Sequence, residues 1–253
     1  MTNLILKTER TKMLKGIDVS KWQKLNDYGD SVELGHTDFM IVKATEGKTY
    51  NDPMFEYHIA EAIRRGMLIG AYHYARPENN GAEVEATHFV NRVKELNLIG
   101  RAILALDYEG VAHNYGETWA LQFLNKVFEL TGVRPLIYMG GSQVKKYPSV
   151  AKANYGLWVA RWGSEPSQSY IKPWTVKALW QLRGAPLDLD YFYGTRQTWE
   201  KYATPVKNVE EPKVEEQEQE SEDKEETGEH HCGCSLCEAV REIVKEELAK
   251  VKE

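Results

Sequence analysis

From Gly16 to about Tyr202 the chain alternates short apolar runs with longer stretches in which apolar residues recur every three or four positions. Eight short runs read as strands: 16–20 (GIDVS), 39–45 (FMIVKAT), 67–75 (MLIGAYHYA), 102–108 (AILALDY), 135–139 (PLIYM), 156–162 (GLWVARW), 178–182 (ALWQL) and 187–193 (LDLDYFY). They are rich in β-branched and aromatic residues and are bounded by Gly, Pro, Asn or Asp. Three intervening stretches read as helices. Residues 53–65 open on Pro53, suited to a first turn, and end before Gly66. Residues 82–96 repeat Phe89, Val93 and Leu96, and 117–131 repeat Leu121, Leu124, Val127 and Phe128 before the stop at Gly132. Strands alternating with helices predict an α/β fold, as a parallel barrel or a doubly wound sheet. Too little chain separates 162, 178 and 187 for full helices. The expected architecture is an irregular (β/α) TIM-like barrel with a strand-rich C-terminal part.

The pattern also divides the chain. Residues 1–15 form an N-terminal extension and 16–202 the domain. Residues 203–229 are rich in Glu, Gln, Lys and Pro and nearly free of large apolar residues, so they read as a self-repelling acidic linker. In 230–253 a Cys/His motif precedes a short helix whose stripe is Leu236, Val240, Ile243, Val244, Leu248 and Val251. A helix that short needs a partner. This segment is therefore a candidate for oligomerisation or for docking on a surface.

Charge changes the picture, because the net value of −6 is unevenly spread. Residues 205–229 hold 11 acidic and 3 basic residues and 230–253 hold 5 and 4, which leaves the first 204 residues mildly basic, at +3. That surplus suits an anionic polymer as partner. No run of Lys and Arg with interleaved aromatics points to nucleic acid. Apolar runs such as Ala102–Leu106 fall far short of the roughly 20 residues of a membrane helix, so no membrane insertion is expected. The apolar start, Met1 to Leu6, meets Lys7, Glu9 and Arg10 too soon for a secretory signal. Synthesis in the cytoplasm is expected. All three cysteines lie in the tail, so no disulfide staples the domain.

The strongest chemistry is Asp107-Tyr108-Glu109, closing the apolar run AILAL. Strand side chains alternate, so both carboxylates share a face, roughly 7 Å apart. The C-terminal strand ends of a β/α barrel carry its active site. Two carboxylates there are equipment for glycoside cleavage, one protonated to serve the leaving oxygen and one charged. An isolated Asp-x-Glu is more often a solvated pair. Here other strand ends repeat the theme, with Asp18-Val19-Ser20, Tyr72-His73-Tyr74, Trp158 to Trp162, Trp180-Gln181 and Asp188-Leu189-Asp190. Closing the sheet gathers acids and aromatics on one rim. Trp158 is balanced between core and site, and Trp162 leans to the site. In the tail, His230, His231, Cys232, Cys234 and Cys237 offer enough donors for a tetrahedral zinc site. Reduced thiols or interchain disulfides are the competing readings. His36, His58, His73, His88 and His113 show no metal spacing and read as core or surface residues.

The stretches GIDVSKWQ (16–23), FMIVKATEG (39–47), DPMFEYHIAEAIRRGMLIGAYHYARP (52–77), AILALDYEG (102–110), TGVRPLIYMGGS (131–142), LWVARW (157–162), ALWQ (178–181) and LDLDYF (187–192) resemble glycoside hydrolase family 25, the Chalaropsis-type lysozymes common among phage endolysins. The resemblance implies hydrolysis of the β-1,4 bond between N-acetylmuramic acid and N-acetylglucosamine in bacterial peptidoglycan, with no cofactor and no catalytic metal. It implies Glu109 as general acid/base and Asp107 as its partner. Asp18 and Asp188 match two further rim acids, with Asp188 chosen over Asp190. Lys43, Glu46, Tyr74, Tyr138, Trp162 and Gln181 match rim positions that contact sugar. It also implies action on the wall after release from the cell. Chitinase-like barrels of family 18 use Asp-x-Asp-x-Glu, and Ala105 stands where their first Asp would be. The rival from another class is a peptidoglycan-binding module without catalysis, which the intact acids oppose.

Overall fold

A computed structural model describes residues 13–23 and 37–206, with Glu242 and Glu246 as two further helical positions. The expected linker beyond Val206 and the Cys/His motif lie outside the described residues. The elements run β1 (Leu14–Val19), β2 (Phe39–Glu46), β3 (Tyr50–Asn51), α1 (Phe55–Arg64), β4 (Leu68–Tyr74), α2 (Ala82–Glu95), β5 (Ala102–Asp107), α3 (Gly116–Thr131), β6 (Leu136–Gly140), α4 (Pro148–Lys152), β7 (Gly156–Ala160), β8 (Leu179–Arg183), β9 (Asp188–Phe192) and α5 (Arg196–Ala203). The eight predicted strands and the three helices predicted within 53–131 are present within a few residues, and the helix predicted in 230–253 lies outside the described residues apart from Glu242 and Glu246. β3, α4 and α5 come in addition.

Eight strands close into a barrel in the order β1-β9-β8-β7-β6-β5-β4-β2, with β2 pairing back onto β1. β3 hangs on the end of β2. β9 runs antiparallel to both its neighbours, and the other barrel pairs are parallel. Only Gly184–Leu187 separate β8 from β9, too short a connection for a parallel crossover. Reversing β9 puts its first residue on the rim where the other strands end.

Alternation sorts the strands into two layers. Outward residues such as Ile17, Met40, Val42, Leu104 and Leu106 join Phe55, Phe89, Phe123 and Leu124 in the main core between barrel and helices. Inward residues fill the barrel itself: Leu14, Phe39, Ile41, Leu68, Tyr72, Ile103, Leu136, Trp158, Leu179 and Phe192. The interior has no spare room. A Cβ on Gly16 would collide with the Phe39 ring, and one on Gly70 would fall 2.9 Å from Ile41.

α5 plugs the far end of the barrel. Thr195 caps it by accepting from the Thr198 amide at 3.3 Å. Its Trp199 is fully buried, with ring centroids 4.6 Å from Phe39 and 5.0 Å from Phe192. The Trp199 indole N–H donates to the Ile69 carbonyl at 3.2 Å. Beyond α5, Pro205 packs on Gly132 and the Val206 amide donates to the Gly132 carbonyl at 2.9 Å, just ahead of β6. The chain thus leaves the barrel at the strands' starting ends. Leu14 pairs with Phe192 at that same end.

Candidate active site

With its lower interior filled and plugged, the barrel opens at the other rim, and there the inward positions turn polar. Asp18 ends β1 opposite Asp188 of β9, and Asp107 ends β5 beside Tyr138 of β6. Glu109 follows in extended conformation, two residues on. Tyr108 between them faces the opposite way, buried, its hydroxyl donating to the Gly116 carbonyl at 2.9 Å. The alternation expected of Asp107 and Glu109 is therefore the one observed.

These residues line one cleft of about 320 Å³, together with Ser20, Trp22, Gln23, Lys43, Tyr72, Tyr74, Tyr138, Trp158, Trp162, Gln181 and Gly184. All four predicted acids and five of the six predicted rim residues are in it. Glu46 is the exception. The register of β2 against β4 slips between Lys43 and Thr45, and the extra residue turns Glu46 to the side of Lys43 and of its strand partner Tyr74. Glu46 lines a neighbouring cleft instead. It accepts from Lys43 Nζ and Arg76 Nε, both at 2.6 Å. Burial pushes its carboxyl up, but those two cations outweigh it and hold the group below its usual range.

A hydrogen-bonded chain fixes the floor. Gln181 Nε2 donates to Asp18 Oδ2 at 2.8 Å, and Tyr138 donates its hydroxyl to Gln181 Oε1 at 2.9 Å. Trp158 settles between the two roles expected of it: it is 2% exposed, lines the cleft, and donates its indole N–H to Asp190 Oδ1 at 2.7 Å. Asp190 is fully buried one layer below Asp188, outside the cleft lining. Of the two, it is Asp188 that lines the cleft. Trp162 stands 68% exposed at the lip, an open face on which a sugar ring can stack. Trp22 and Gln23 are lining residues the sequence reading passed over, while Tyr72, noted among the strand ends, was not singled out as a sugar contact. Tyr72 shares its strand face with Tyr74, so the period of two was the available signal.

The electrostatics are those of crowded acids. Burial, then the charges of Glu109 and Asp18, hold Asp107 well above the usual carboxylate range. Burial and then Asp18 raise Glu109. Asp188 is pushed up to about 8 by burial and Asp18. Asp18 itself is raised by burial, against the opposing hydrogen bonds with Asp190 and then Gln181. Asp190 is raised by burial and Asp18. Carboxyls this close cannot all ionise at neutral pH, so the rim holds protons ready to give. Asp107 Oδ1 is buried with no hydrogen-bond partner among the described residues. Such an atom calls for a proton or a ligand. A held proton beside a charged carboxylate is what acid-catalysed glycoside cleavage needs.

The sequence model for Glycosyl hydrolases family 25 matches residues 17–186, about two thirds of the chain. The chain belongs to glycosyl hydrolases family 25. Lysozyme M1 of Streptomyces globisporus is 30% identical over 199 residues, covering 71% of this chain and 67% of that protein. A family GH25 lysozyme from Aspergillus fumigatus has a similar structure, with a TM-score of 0.63 at 25% identity over 76% of this chain and 100% of that one. The catalytic domain of endolysin ply40, from bacteriophage P40 of Listeria monocytogenes, gives a TM-score of 0.57 at 28% identity, over 76% and 98%. The family 25 barrel is that of a lysozyme-type glycosidase. Among the described residues no helix is long and apolar enough to cross a membrane.

Proposed function

We propose that this family 25 glycosidase is an N-acetylmuramidase that cleaves the β-1,4 bond between N-acetylmuramic acid and N-acetylglucosamine of bacterial peptidoglycan, and that it serves as a phage or prophage endolysin. The observation that carries the reading is the pair Asp107 and Glu109 in one cleft with Asp18 and Asp188. Glu109 is less enclosed than Asp107 and keeps its proton through burial and the neighbouring charge of Asp18. It gives that proton to the leaving glycosidic oxygen as the bond to the sugar carbon breaks. The rim acid that remains ionised offsets the positive charge that develops at that carbon. Water then adds its oxygen there, and its proton returns to Glu109. Gln181 and Tyr138 hold Asp18 in place. Trp162 offers a stacking face, and Lys43 and Tyr74 border the same opening. Release of the enzyme to the wall through a membrane lesion fits the endolysin reading.

Mass spectrometry of digested peptidoglycan tests this. Wild-type protein is expected to create new muramic reducing ends, and Glu109→Gln to lose about 10²- to 10⁴-fold in rate. Equal activity of the variant would remove Glu109 from its role. Wall binding without new ends would favour a binding module instead. Lysis of host cells on co-expression with a membrane-permeabilising protein checks the endolysin part, and intact cells would refute it.

A further inference from the structure

Beside the acid cleft lies a second, more open one of about 540 Å³, whose lining includes Lys21, Glu46, Lys48, Tyr50, Arg76 and Glu78. Cations on aromatic rings form the wall between the two. Lys21 Nζ lies 4.9 Å from the ring of Trp22, which lines the acid cleft, and 5.1 Å from that of Tyr50, which lines the other. Lys43 Nζ lies 4.8 Å from the Tyr74 ring and 5.7 Å from that of Tyr50.

The charges of the two clefts are opposed. The first sets Asp18, Asp107, Glu109 and Asp188 against Lys43. In the second, both carboxylates already have partners: Glu46 is held by Lys43 and Arg76, and Glu78 lies 3.6 Å from Arg76. Lys21 and Lys48 form no ion pair with a carboxylate among the described residues, and both are exposed. Two unspent cations therefore face solvent next to a mouth crowded with acid. Those acids offer an anionic polymer no attraction, whereas positive charge alongside can receive it. On the muramidase reading, on which this inference rests, the substrate is such a polymer, since each muramic lactyl group carries a short peptide with free carboxylates. A bare sugar chain offers no charge for these lysines to meet.

We propose that the second cleft receives the carboxylate-bearing peptide stem of a muramic residue, with Lys21 and Lys48 as its cationic contacts and Tyr50 as its wall. Contacts of this kind are exposed and modest, and they weaken with salt.

The test compares glycan chains carrying their stems with the same chains stripped of them by an amidase, for wild type and for the double variant Lys21→Gln/Lys48→Gln. On stem-bearing chains the double variant is expected to raise KM about fivefold with kcat unchanged, an effect that fades at high salt. On stripped chains the variant and wild type are expected to agree. Equal KM on both substrates, or an equal rise on both, overturns the proposal. Calorimetric binding of a stem-bearing disaccharide against its stripped counterpart reads the same site without bond cleavage. Failure of the muramidase reading would appear as no hydrolysis of either chain, whereas failure of this inference would appear as binding indifferent to the stem or to the two lysines.

Discussion

Replacing Asp188 with asparagine removes one ionisable group from the rim and leaves its shape nearly unchanged. In the folded protein this carboxyl titrates near 8, raised by burial and Asp18 from an ordinary 3.8. Folding therefore favours the protonated form. The stability associated with that form is complete below about pH 4 and is lost as pH rises towards 8. The gap is about four pH units, and at about 1.36 kcal/mol each the limit is between about 5 and 6 kcal/mol. Asp188 is partly open to solvent, so screening brings this down to about 2 kcal/mol. For a domain of this size that is about 4–8 °C in Tm. Melting curves at pH 4 and pH 8.5 check it. Asp188→Asn is expected to match wild type at pH 4 and to melt about 4–8 °C higher at pH 8.5, while its hydrolytic rate falls at least about tenfold. A difference independent of pH, or a variant less stable at pH 8.5, would refute the reasoning.

Other perturbations separate fold from site. Gln181→Leu strips Asp18 and Tyr138 of their shared partner in a buried place, and urea titration is expected to show a loss of about 1–3 kcal/mol. His73→Phe breaks two 2.8 Å hydrogen bonds, to Thr45 and Glu85, and leaves Glu85 buried beneath the helices; a loss of about 2–4 kcal/mol is expected in the same assay. Trp162→Ala is expected to leave stability within about 0.5 kcal/mol because the ring is mostly exposed. Its KM for glycan is expected to rise several-fold, and an unchanged KM would remove the stacking role.

The eight strands were legible because each pairs an apolar run with turn residues at its ends. The direction of β9 was not legible, since alternation is the same in either sense and only the brevity of Gly184–Leu187 hints at reversal. α5 escaped because its single buried stripe, Trp199 and Ala203, is set in polar surroundings. Asp18, Asp107 and Glu109 could be read as a rim because the C-terminal ends of barrel strands converge, whereas Asp188, the first residue of a reversed strand, was placed there only by the family resemblance. Glu46 lies in the neighbouring cleft, and the slip in the β2 register that sets its side is not announced by one chain read alone. Trp158 stayed divided between core and cleft because it belongs to both.

Leu14 and Val206 both sit at the plugged end, away from the acids. A support, fusion partner or anchoring peptide attached through either one would trail behind the enzyme and leave its working opening turned towards the wall. Tethered versions should thus digest insoluble material about as freely as the protein in solution.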